Sequence, residues 1–234
     1  MSFFLTLTPT VPYWRLQMTQ IFQLAFHNQL VFRWFHRTIP PGTPSSPADL
    51  SPDRTRWWLR VLTLYSLNPR VTQLLAIKGT RVIGCAQWLV PPHLARRQSL
   101  FERVYCLVLQ LWHDLQTRLF PPRWLNIKHW EMRGHTRNSQ KDPWQDVLGD
   151  EEFHRVHILD IVWVAPEEQG RGVGTALIQW GLERARRMQM GVVLATDIGG
   201  MTEYYAKFGF RTFDMWRYGD EDGSVERNLM IWKV

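Results

Sequence analysis

The stretch from His157 to Thr196 constrains this chain more than any other. His157–Val164 (HILDIVWV) is an almost unbroken apolar run, as expected of a strand buried on both faces. Pro166 ends the run. Glu167–Glu168–Gln169–Gly170–Arg171–Gly172–Val173–Gly174–Thr175 follows as a glycine-rich turn. A helix then reaches about Met190, with Leu177, Trp180, Gly181, Ala185 and Met188 on one face. Gly191 stops that helix, and Val192–Thr196 reads as a second buried strand. A strand, a glycine loop, a helix and a strand in this order belong to an α/β fold.

The loop has a specific physical use. The first turn of a helix leaves backbone N–H groups unpaired, and the macrodipole adds partial positive charge there. Glycines remove the Cβ atoms that would hold a phosphate away. A pyrophosphate can then rest on successive amides. A dinucleotide fingerprint requires G-x-G-x-x-G/A, but Gly170 and Gly172 are followed by Thr175, and Gly172 and Gly174 by Leu177. No Gly-Lys-Ser/Thr is present for a nucleoside triphosphate.

Another pattern does fit. Val162-x-Val164-x-Pro166-x-x-Gln169-Gly170-x-Gly172-x-Gly174 resembles motif A of the GNAT acyltransferases. Tyr204-Tyr205-Ala206-Lys207-Phe208-Gly209-Phe210 is similar to that family's L-Y-x-K-x-G-F signature. The hairpin ending Ile83–Trp88 is similar to its second and third strands. The resemblance is closest over residues 154–210, the expected acyl-CoA-binding core, and its style is similar to GNAT proteins of filamentous fungi. It implies one domain spanning 1–234, with 93–150 as an insertion or lid. The implied fold is α/β: a mixed, mostly antiparallel central sheet with a V-shaped splay and helices on both faces.

The resemblance also implies an activity, the transfer of an acetyl group from acetyl-CoA to an amine, with no metal. Val162, Trp163 and Val164 would bind the pantetheine arm and acyl carbonyl through their backbone, stabilising an oxyanion. Gln169, Gly170, Arg171, Gly172, Val173, Gly174 and Thr175 would hold the pyrophosphate. Arg171 either screens its charge or is a solvated loop residue. Tyr205 matches the tyrosine that protonates the departing thiolate, with helix packing as the alternative; Tyr204 is expected in the core. The asparagine often found seven residues before that tyrosine is Ile198 here.

Attack requires a neutral amine. Asp160 is the only acid within the apolar strand, and burial would make it a stronger proton acceptor. Alternation puts it on the same face as Val162, as a base or as a structural carboxylate. His154 and His157 are rivals, with His157 on the opposite face. Glu167 and Glu168 beside a phosphate loop have no explanation in the sequence.

The remaining sequence supplies walls. Phe3–Thr8 reads as a strand and Tyr13–Arg37 as a helix that breaks near His27–Asn28. Thr38–Pro52 reads as a Pro/Ser-rich loop and Arg54–Leu67 as a helix. Val71–Ile77 and Arg81–Val90 form a hairpin around Lys78–Gly79–Thr80. Phe101, Val104, Tyr105, Val108, Leu111, Trp112 and Leu115 trace one helix face. That face is expected to pack on the core as a lid, with a membrane-surface or partner-binding helix as the other reading. Residues from Pro121 to about Asp150 read as irregular.

The net charge of +7 is spread along the chain without a nucleic-acid-reading motif, so no nucleic-acid partner is expected. Cys85 and Cys106 read as free thiols. Thirteen tryptophans are assigned to packing rather than to a pocket. No leader and no transmembrane segment are read, so a cytoplasmic location is expected. The acceptor is expected to be a small, partly apolar amine; a homodimer is left open. The rival reading is a non-catalytic acyl-CoA-binding or interaction module.

Overall fold

A computed structural model describes residues 3–7, 12–26, 51–128, 143–220 and 223–234. The expected break near His27–Asn28 and the Pro/Ser-rich loop up to residue 50 lie outside these residues. Among these residues, seven strands form one open sheet: β1 (Phe4–Leu7), β2 (Val71–Lys78), β3 (Arg81–Leu89), β4 (Val156–Val164), β5 (Gly191–Asp197), β6 (Arg211–Asp220) and β7 (Gly223–Trp232). Their order is β1-β2-β3-β4-β5-β7-β6. Every neighbouring pair is antiparallel except β4–β5, which is parallel and therefore needs a crossover. The sheet is thus mixed and mostly antiparallel, as expected.

Six α-helices are described: α1 (Pro12–Phe26), α2 (Pro52–Leu67), α3 (Leu100–Leu119), α4 (Pro143–Phe153), α5 (Val173–Arg187) and α6 (Gly200–Ala206). Helix α2 starts where Ser51 accepts from the Arg54 N–H and Pro52 opens the first turn. One sheet face packs on α5 and α6 through Leu159, Leu177, Ile178, Val192 and Phe210. The other packs on α1 and α2 through Phe22, Trp57, Trp58, Leu75 and Trp163. Helices thus cover both faces. Trp57, Trp58, Trp88, Trp144, Trp163 and Trp232 are buried, so these indoles pack the interior.

Helix α5 lies unusually close to the sheet. A Cβ on Gly181 would fall 2.0 Å from the Trp88 ring, and one on Gly84 would fall 3.0 Å from Val173 Cγ1. Both glycines therefore serve close packing, bringing the start of α5 down beside β4.

Three features differ from the sequence reading. Helix α4 occupies part of the stretch read as irregular. Its Gly149 is non-helical (φ 75°, ψ 165°), which splits the apolar period that a sequence scan needs. Strands β6 and β7 lie beyond the motifs read above. The apolar stripe of α3, expected to pack inward as a lid, is exposed instead: Phe101 is 78% and Leu111 59% accessible. Its buried side carries His113 and Thr117.

Candidate functional site

The parallel ladder between β4 and β5 is short. It joins Val156–Ile158 to Gly191–Val193, and no later residue of β4 pairs with β5. From Leu194 to Asp197, β5 stays paired with β7, while β4 from Ile158 to Val164 stays paired with β3. The two strands therefore diverge, and β4 presents unladdered backbone from Leu159 to Val164 towards the gap. Peptide groups in such a split seek other partners. An extended amide-bearing chain fits there as a strand would.

The loop closes one end of the split. Gly170 (φ 72°) and Gly172 (φ 82°) both adopt left-handed backbone, and Gly172 is the N-cap of α5. Built Cβ atoms at these two positions would meet nothing within 4 Å, so it is the dihedrals that call for glycine. Gly174 is different. It is helical, and a Cβ there would stand 3.2 Å from the Tyr204 hydroxyl and 3.7 Å from Val164 Cγ2. Gln169 ties the loop to the strand by donating from Nε2 to the Val164 carbonyl at 3.1 Å.

The two glutamates hold the loop from beneath. Glu168 is buried and accepts from Lys78 Nζ at 2.7 Å, with Arg171 Nη1 at 3.5 Å. Glu167 pairs with Arg81. Lys78 and Arg81 flank the β2–β3 turn, so the hairpin neutralises both acids and fixes the loop's height over the sheet. The hydrogen bond from Lys78 holds the Glu168 carboxyl below the usual carboxylate range.

Across the split stands α6. Tyr205 is buried, its ring 5.5 Å from Tyr204 and 5.9 Å from Phe210. Burial, and then the neighbouring Tyr204, raise its phenol well above the ordinary tyrosine value. Asp197 and Arg227, 3.5 Å apart, both act on it electrostatically. Tyr204 is half-buried and aims its hydroxyl at the start of α5, 3.5 Å from that of Thr175.

Asp160 occupies a bulge. Gln87 pairs with Ile161 and Trp88 with Leu159, leaving Asp160 as the extra residue of β4. The bulge breaks the alternation, so Asp160 does not share a face with Val162, contrary to the sequence reading. Val162 packs on the α5 side, whereas Asp160 Oδ2 accepts a hydrogen bond from the Tyr65 hydroxyl of α2 on the other. Neither rival histidine is near the mouth of the split. Exposed His154 precedes β4, and His157 lies in its ladder-paired half.

The chain matches the model of the Acetyltransferase (GNAT) family over residues 29–210, more than half its length. The chain belongs to the GNAT acetyltransferase family. Solved structures agree at the level of fold. One described as histone acetyltransferase HPA2 and related acetyltransferase, from Corynebacterium glutamicum, superposes with a TM-score of 0.55 at 16% identity, covering 99% of this chain and 96% of that one. A GNAT-family protein from Desulfovibrio desulfuricans gives 0.53 at 10% identity, with 99% of each chain covered. A Drosophila melanogaster polyamine N-acetyltransferase gives 0.50 at 12% identity over the whole of both chains. No curated protein matches the sequence.

Within this GNAT fold, the structure brings Val162, Val164, Gln169, Gly172 and Gly174 together at one mouth, with Tyr204 closing it. Asp160 is offered from the α2 side. Sequence reasoning missed Tyr65, Lys78, Arg81 and the Asp197–Arg227 pair. No local signal could have found Tyr65, which lies 95 positions from its partner.

His157 makes stability depend on pH. It is buried with Nε2 lacking a hydrogen-bond partner among the described residues, and burial, Arg184 and His93 push its pKa down to about 4. Its folded value lies below the ordinary 6.5, so between those values the unfolded chain binds more protons and stability rises with pH. Lowering pH from about 6.5 to about 4 is expected to cost about 3 kcal/mol at this site. Thermal melts of wild type and His157→Gln across that window test this: the variant's slope should be shallower. Parallel slopes would remove His157 from the account.

Proposed function

We propose that this chain is an acetyl-CoA-dependent N-acetyltransferase acting on a small amine. One observation carries the reading: the divergence of β4 from β5 after Ile158, directly beside a left-handed glycine loop at the N-terminus of α5. Extended backbone from Leu159 to Val164 suits the two amides of a pantetheine arm. The amides at Gly170–Thr175 suit its pyrophosphate.

The chemistry follows from that placement. The lone pair of a neutral amine attacks the thioester carbonyl, forming a C–N bond, and the oxyanion is held by β4 backbone N–H groups. The C–S bond then breaks, and Tyr205 gives its proton to the departing thiolate sulfur. Asp160, held by Tyr65, takes the proton lost by the amine or orders the water that takes it. Helices α1 and α2 wall the acceptor side.

The test is thiol release from acetyl-CoA with a panel of amines, amino acids, peptides and polyamines. It includes agmatine, because the Drosophila relative is described as forming N-acetylagmatine. At least one small amine should release thiol far above the background rate. Asp160→Asn should lower kcat and regain part of the rate at higher pH, where more amine is already neutral. Acetyl-CoA binding without transfer to any amine would instead mark a non-catalytic acyl-CoA module. An Asn variant with a lower melting temperature and an unaltered kcat would make Asp160 structural.

A further inference from the structure

Helix α3 is seated the wrong way round for a lid. Ten of its twenty residues are large apolar or aromatic side chains left exposed, among them Phe101, Val104, Leu107, Val108, Leu111 and Trp112. At helical spacing they form one unbroken stripe roughly 160° wide along the helix. The body side is narrow and polar. His113 is buried with its ring 5.6 Å from that of Trp57 in α2. Neither its ring nitrogens nor the Thr117 hydroxyl has a hydrogen-bond partner among the described residues.

The seat is nevertheless well defined. A Ser99–Glu102 capping box starts the helix, Arg96 pairs with Glu102 at 2.7 Å, and Gln98 donates to the Leu67 carbonyl at 2.8 Å. A contiguous apolar face held outward in this way marks an interaction surface.

Charge decides between occupants. Residues 93–128 carry Arg96, Arg97, Arg103, Arg118, Arg123 and Lys128 against only Glu102 and Asp114, and Glu102 is already paired with Arg96. Arg103 borders the stripe, Arg118 lies at its C-terminal end, and exposed Arg97 and Arg123 lie beyond its two ends. An antiparallel pairing with a second copy would set each Arg103 within about one turn of both Asp114 and Arg118 of the other copy, leaving the net positive charge of the segment uncompensated. An anionic bilayer offsets these charges and covers the stripe. No helix among the described residues is long and apolar enough to cross a membrane, so α3 would lie along the surface.

We propose that α3 docks this protein on an anionic phospholipid surface, burying the stripe at the level of the headgroups while Arg97, Arg103, Arg118 and Arg123 meet lipid phosphates. Its neighbour α2 supplies Tyr65, so docking turns the acceptor side of the split towards the membrane. Membrane docking does not depend on the transfer reaction, and its test has no activity readout.

The test is co-sedimentation of the full chain with phosphatidylcholine vesicles containing about 30% phosphatidylserine and with phosphatidylcholine alone. Light scattering of the free protein runs alongside. Wild type should partition onto the anionic vesicles and bind neutral ones far more weakly. Leu107→Glu with Leu111→Glu, both positions being 59% exposed, should cut partition at least about tenfold while the melting temperature holds. Arg103→Gln and Arg118→Gln should each lower anionic partition roughly fivefold.

Absence of wild-type binding would overturn the proposal, as would equal binding to both vesicle types. A dimer dispersed by the double variant, with no vesicle binding, would give the surface to a second copy. A monomer whose melting temperature falls sharply in that variant would show that the chain covers its own stripe, which also overturns the proposal.

Discussion

Gly172→Val is expected to weaken acetyl-CoA binding roughly ten- to a hundredfold while leaving the protein folded. Gly172 is the N-cap of α5 at φ 82°, a region where a β-branched residue is a genuine outlier. A valine there pulls the backbone back towards negative φ and turns the following amides away from a common point. Charge-assisted hydrogen bonds to phosphate contribute about 1.5–3 kcal/mol each, so misaiming even one gives an effect of that size. No atom lies within 4 Å of the built Cβ, so the cost to the fold is limited to the dihedral strain, about 1–3 kcal/mol. Calorimetric titration with acetyl-CoA reads the first quantity and a thermal melt the second. Wild-type affinity in the variant would remove the loop from the binding site.

Tyr205→Phe addresses chemistry instead of binding. Burial raises the Tyr205 phenol above its ordinary value, so its proton is present throughout any working pH range, and its transfer relies on the negative charge that develops on the departing sulfur. Removing the hydroxyl should lower kcat roughly ten- to a thousandfold with little change in acetyl-CoA affinity. Rapid-quench measurement of the transfer step separates this from product release. An unchanged chemical step would leave Tyr205 as a packing residue against Phe210. Tyr204, with its hydroxyl between Gly174 and Thr175, would then be the phenol to examine.

What could be read from the amino acids alone was local in the chain. The apolar run of β4, the turn glycines and the face of α5 lie within about thirty consecutive residues, and each carries its own period or backbone demand. Contacts between distant segments left no such trace. Glu167 and Glu168 look misplaced beside a phosphate loop until the hairpin supplies Lys78 and Arg81, 90 and 86 positions away. Strict alternation puts Asp160 on the wrong face because it assumes an unbroken ladder, and one extra residue opposite Gln87–Trp88 reverses it. Helix α3 shows the limit of amphipathicity as a signal. The pattern identifies an apolar face but not what covers it, and here His113 and Thr117 turn to the body while the stripe turns out.

Acyl-CoA is proposed to lie in the split between β4 and β5 with its pyrophosphate on the α5 loop. Amide hydrogen exchange with and without saturating acetyl-CoA tests this most directly, because it reads the backbone groups the account assigns. Protection should appear at Val162–Val164 and at Gly170–Thr175, and should be weaker at the loop in Gly172→Val. Binding of acetyl-CoA that leaves both stretches exchanging at their free rates, or that protects another part of the sheet, would contradict it.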